Sequence, residues 1–96
     1  MEREVLMLHL RQAFGGAPAE RRTVARAASD LADSGKLDDD RGEELTADVV
    51  VENLADCREG SPAERWNWWM GALEAAHGDY EQFVVQRWNE EDAPNA

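Results

Sequence analysis

Residues 61–78 read SPAERWNWWMGALEAAHG, and this stretch decides how the chain folds. Ser61 is placed to cap a helix, because its hydroxyl accepts a hydrogen bond from a first-turn amide that lacks a carbonyl partner. Pro62 falls at the first helical position, where its missing N–H costs nothing. Glu64 completes a reciprocal capping box with Ser61. Gly78 follows the last turn, where the backbone commonly becomes left-handed. Together these residues predict a helix over 62–77.

At about 100° per residue, Trp66, Trp69, Met70, Leu73, Ala76 and His77 share one face of that helix. Trp68, Ala72 and Ala75 extend the apolar arc along the far flank. Glu64, Asn67, Gly71 and Glu74 leave a polar strip roughly 80° wide. A helix with so little polar circumference is expected to be surrounded, either as a central core helix or with its second face at an interface. On the interface reading, Trp68, Ala72 and Ala75 mark the contact, and Trp88 is the other candidate for it.

Four more helices are expected around this one, giving an all-α single domain over 1–89. The first spans 2–14, with Leu6, His9, Leu10, Ala13 and Phe14 at helical spacing and Gly15-Gly16 as its stop. His9 on this stripe reads as a satisfied core residue. The second spans 18–34, opened by Pro18 and closed by Gly35, with Val24, Ala28, Leu31 and Ala32 inward. Residues 38–42 read as a turn.

The third helix is expected over 43–59, with Ala47, Val50, Val51, Leu54 and Cys57 inward. Three adjacent valines, 49–51, also fit a short strand, but the spacing of Val50, Leu54 and Cys57 favours helix. Its outer ridge would carry Glu44, Asp48, Glu52 and Asp56, four residues apart. Like charges so spaced cost about 0.2–0.5 kcal/mol per pair in dilute buffer. Without a glycine-shaped loop they read as a solvated face rather than a cation cage. The last helix is expected over 79–89, capped by Asp79 and Gln82, with Tyr80, Phe83, Val84, Arg87 and Trp88 on its stripe. Residues 90–96 carry no apolar side chain larger than alanine and proline and read as a disordered acidic tail.

The charge balance narrows the setting. Twenty-one acidic residues face ten basic ones, for a net charge of −11, and Lys36 is the single lysine. This acidic, lysine-poor composition resembles that of the cytoplasmic proteins of extreme halophiles. The resemblance is to a composition class, not a fold family, and implies adaptation to high salt. The physics is consistent: at ~1 M salt the Debye length is about 3 Å, so carboxylate repulsion is screened. In dilute buffer the same charge opposes the compact state. A competing reading is an acidic mimic of nucleic acid. The charge is also uneven, with +2 over residues 1–26 and −13 over the remainder. No run of about 18 apolar residues is present, and MEREV lacks the pattern of a secretory signal. A cytoplasmic protein without membrane association is expected.

Residues 23–37, TVARAASDLADSGKL, resemble the recognition helix of winged-helix regulators and the turn into their wing. That resemblance implies nucleic-acid contacts from Arg21, Arg22, Thr23 and Arg26. The following residues, DDDRGEELTADVVVENL, show no strand–turn–strand pattern. The net negative charge repels phosphate, and salt weakens such contacts further, so nucleic acid is not the expected partner.

No catalytic constellation emerges. Cys57 has no histidine near it in sequence and rules out both an intrachain disulfide and a cysteine-rich zinc site. His77 falls in a last helical turn, where the helix dipole accounts for it. The pairs Asp38–Asp40 and Glu43–Glu44 lie beside a turn with no pocket signal. No phosphate-binding glycine loop or nucleophile elbow is present. The expectation is therefore a non-enzymatic protein without cofactor or metal, acting by protein–protein interaction and as a homodimer. The alternative is a winged-helix-like transcriptional regulator using residues 18–34.

Overall fold

The structure, a computed structural model, describes residues 1–87. It is all-α: α1 (Arg3–Phe14), α2 (Pro18–Ser34), α3 (Lys36–Arg41), α4 (Ala47–Ala55), α5 (Pro62–His77) and a 3₁₀ turn (Glu81–Phe83), with no strand among the described residues. Trp88, the end of the helix expected over 79–89, and the tail expected over 90–96 lie outside the described residues.

α1 packs against α2 and α4, and α5 packs against the same two helices from the other side. Their shared core joins Leu6 and Leu10, Val24, Ala28 and Leu31, Val50 and Leu54, and Trp66, Met70 and Leu73. α5 is thus one wall of the bundle and not its axis, which leaves its far flank uncovered by the other described elements.

Two local devices fix how α2 meets α5. Glu20 is only 4 % exposed, and its carboxylate accepts the Ala63 amide at 2.8 Å. That places a negative charge on the positive end of α5. Gly16, at φ +85°, packs so closely on Pro62 that an added Cβ would lie 2.7 Å from its Cδ. Any side chain there would push the two helix starts apart.

Helix 62–77 begins and ends as expected. Ser61 Oγ accepts from Glu64 N, and Glu64 returns the bond to Ser61 N at 2.9 Å. Three expectations are corrected. First, residues 38–42 are not a turn, because Lys36–Arg41 continue as α3. Gly35, left-handed at φ 72°, redirects the chain, Leu37 anchors the new helix in the core, and Lys36 pairs with Asp40 at 2.9 Å.

Second, the helix expected over 43–59 is the shorter α4. Thr46 Oγ1 accepts from Val49 N at 3.2 Å and sets its start, flanked by Leu45 and Val50, which both enter the core. Arg65 sets its end by donating to the carbonyls of Leu54 at 3.1 Å, of Cys57, and of Gly60 at 2.8 Å. Glu44 therefore precedes the helix and Asp56 ends it, so the acidic ridge is only partly helical.

Third, residues 79–87 are not a helix. Asp79 does not cap; it takes φ +67°. Glu74 Oε1 instead accepts from Tyr80 N at 2.7 Å and Glu81 N at 3.1 Å, closing a single 3₁₀ turn. Val84 then turns extended. Phe83 and Val85 are buried with Val84 half-buried between them, the period of two of a strand.

Candidate interaction surface

The tetrapeptide Trp66-Asn67-Trp68-Trp69 divides its four side chains among different tasks. Trp66 is fully buried and donates its indole N–H to the Phe83 carbonyl at 2.8 Å. Its ring meets Trp69 edge to face, with centroids 5.6 Å apart at 81°. Asn67 donates to the Val85 carbonyl and accepts from the Val85 amide, both at 2.8 Å. Its side chain thus pairs with the backbone as a neighbouring strand would. Trp69 is buried on the α5 core face. Trp68 is 45 % exposed.

A family model, the WNWW domain, matches residues 1–74. The chain belongs to the WNWW domain family. The family's name spells the tetrapeptide at 66–69, and the match includes Trp66 and Asn67 but not the segment 83–85 that they hold. No curated protein and no solved structure matches the chain.

In this WNWW domain no other described element covers the side of α5 opposite Trp66. Gly71, Ala72, Ala75 and Ala76 are exposed alongside Trp68. Of the interface residues expected from sequence, Trp68, Ala72 and Ala75 share this face, and Trp88 lies outside the described residues. Ala76 and His77, expected on the inner face, are exposed near the helix end. A second exposed apolar pair was not foreseen: on α1, Val5 is 43 % and Leu8 50 % exposed. The signal was present, since both lie off the Leu6–Leu10 stripe at i, i+3 spacing.

The four residues expected to contact nucleic acid differ in their surroundings. Arg21 donates to the carbonyls of Gly15, at 3.2 Å, and Gly16, tying down the α1–α2 loop. Thr23 Oγ1 donates back to Ala19 O at 2.9 Å along its own helix. Arg22 and Arg26 are exposed one turn apart on α2, and neither forms an ion pair among the described residues. The residues after α2, where a wing would begin, form α3.

One polar cluster joins α3 to the C-terminal segment. The Tyr80 hydroxyl donates to Asp40 Oδ2 at 2.9 Å, and Lys36 Nζ donates to the same oxygen at 2.9 Å while lying 4.6 Å from the Tyr80 ring centroid. Lys36 first, and then Tyr80, hold the Asp40 carboxyl below its usual range. Burial and the bond to Asp40 push the Tyr80 phenol up. Each of these groups is consumed by a structural contact. Cys57, expected on an inner helical face, lies beyond α4 and donates to Glu59 O at 3.3 Å. Asp48 lies 3.8 Å from His9, and among the described residues no three acidic, histidine or cysteine side chains gather to hold a cation.

Proposed function

We propose that this WNWW domain acts by protein–protein association, first with a second copy of itself, through the outer face of α5. The observation that carries the reading is Trp68, 45 % exposed between small residues on a face that no other described element covers. Trp68 is over half shielded in the monomer, and covering its exposed part against a partner removes on the order of 100 Å² more from water. Gly71, Ala72 and Ala75 let a second helix approach closely, and a two-fold dimer is the commonest way to cover such a patch.

The setting supported by composition is a cytoplasm of high salt. With a net charge of −11, two copies repel in dilute buffer. Concentrated salt screens that repulsion, leaving apolar contact to decide. The proposed activity is binding, supported by the exposed apolar face of α5.

Sedimentation at ~2 M KCl tests this. The wild type is expected at twice the chain mass and Trp68→Glu at the chain mass with unchanged helical circular dichroism. A monomeric wild type sinks the reading.

A second reading rests on Arg22 and Arg26, exposed one turn apart on α2. It would have this pair contact phosphates as part of a nucleic-acid regulator. The carboxylates that dominate the surface oppose it, and no sequence-specific duplex binding is expected at moderate salt. Sequence-dependent binding lost in Arg22→Ala with Arg26→Ala reverses the ranking.

A further inference from the structure

The segment 79–87 is held as a ligand is held. Trp66 takes the carbonyl of Phe83, and Asn67 takes both backbone groups of Val85. The side chains of Phe83 and Val85 enter the core between α2 and α5. Beside this segment runs a groove of about 200 Å³ lined by Thr23, Arg26, Ala27 and Asp30 of α2. Recognition of an extended backbone together with alternate side chains is how a sheet edge takes up a peptide; here a helix does it with one asparagine and one indole.

The connection at Gly78–Asp79 is where such a segment would hinge. Gly78 at φ +81° and Asp79 at φ +67° are consecutive residues of positive φ, and Asp79 is the one non-glycine of positive φ among the described residues. Residues other than glycine rarely adopt this conformation. Opening at these two positions would free Asp79 from it, and full release of the segment also breaks the bonds of Glu74 to the Tyr80 and Glu81 amides and of the Tyr80 hydroxyl to Asp40.

We infer that the Trp66–Asn67 surface is a docking site for an extended segment and that its occupant in trans is residues 79–87 of a second copy. The inference deepens the self-association reading, adding a reciprocal exchange of C-terminal segments to it. The occupant is named by fit: Phe83 and Val85 already match the site, and an identical chain supplies the same residues on the same hinge. Exchange competes with a segment tethered by two residues, whose effective concentration is millimolar or higher. It is therefore concentration-dependent.

Two complementary full-length variants, both also carrying Trp68→Glu to remove the α5 contact, read the exchange directly. Phe83→Ala with Val85→Ala leaves the clamp intact but weakens its resident segment. Asn67→Ala leaves the segment intact but weakens its clamp. Mixed at ~2 M KCl, the two are expected to form a 1:1 complex of twice the chain mass that neither forms alone. Absence of that complex overturns the inference, even where wild-type dimerisation lost in Trp68→Glu upholds the α5 interface. Conversely, the complex in the mixture with a monomeric wild type sinks the α5 interface and leaves the docking site standing. If the Phe83 variant loses its helical signal, amide exchange of the wild type decides. The Val85 amide is expected to exchange at least about tenfold faster than that of Met70, by release of the segment alone. Equal protection overturns the inference.

Discussion

The carboxylate of Glu20 and the amide of Ala63 meet at 2.8 Å across 43 residues of sequence, in a site with almost no solvent. One side chain of α2 thereby takes up an unpaired donor at the start of α5 and complements that helix's dipole. It does for tertiary structure what Ser61 does locally.

Glu20→Ala leaves the Ala63 amide buried without an acceptor, and is expected to cost about 2 kcal/mol, in the range for hydrogen bonds to charged groups. Glu20→Gln keeps an acceptor and loses the charge, so its cost is expected near 1 kcal/mol. Urea denaturation at high salt measures both; equal stabilities would mean that the contact contributes nothing.

The tryptophans of the motif are expected to differ sharply. Trp66→Phe removes the indole donor from the Phe83 carbonyl and opens a void in the core, for about 2–3 kcal/mol. Trp68→Phe, on the exposed flank, is expected to change monomer stability by less than about 0.5 kcal/mol. Denaturant titrations at a concentration low enough for the monomer check the contrast.

Arg65 ends α4 by donating to three backbone carbonyls, and its guanidinium lies 4.5 Å from the Phe14 ring centroid. Arg65→Ala is expected to lower stability by about 2 kcal/mol. Arg65→Lys should recover less than half of that, because an ammonium group cannot fork to several carbonyls or stack flat on the ring. Full recovery by lysine, read from melting curves, would remove the geometric argument.

Acid should loosen the joint between α3 and the C-terminal segment. Asp40 is held below its ordinary value of 3.8 by Lys36 and Tyr80, and Glu74 below 4.5, chiefly by the Tyr80 amide. A depressed folded-state pKa means that the unfolded chain binds more protons. The stabilisation is therefore present above the unfolded value and fades as pH falls through the folded one. Stability is expected to decline below pH about 4, and less steeply in Asp40→Asn and Glu74→Gln, both weaker at neutral pH. Tyr80, raised from 10.0, adds a loss of opposite sense as pH climbs above that value. Denaturant midpoints across pH 2–11 report both limbs.

Salt should raise the melting temperature. Screening of a net −11 is expected to lift the midpoint progressively from ~0.1 to 3 M KCl. A flat response, followed by circular dichroism, would remove the high-salt argument.

Much of the architecture was legible because its signals are local. Ser61, Pro62 and Glu64 act within one turn, so α5 starts where they place it, and the glycines after α1 and α2 mark ends that follow from the backbone freedom of single residues. Trp68 was legible too, as a residue off the main stripe, although two readings of it stood together.

The sequence by itself determined that the chain is helical, highly acidic and equipped with one tryptophan-rich helix. Periodicity, capping and charge are properties of neighbouring residues. Only the tertiary structure decided what residues 79–87 do. Their pattern, Tyr80, Phe83, Val84 and Arg87, fits a helical stripe as well as an extended segment, and local propensity separates the two poorly. What separates them is an indole and an asparagine amide more than fifteen residues away, which bond the backbone of Phe83 and Val85. A helix would spend those same N–H and C=O groups on itself, so the long-range bonds and the helix exclude each other. The same distance effect placed α5 at the wall of the bundle: what covers a helix depends on where the other helices go, which no single helical pattern records.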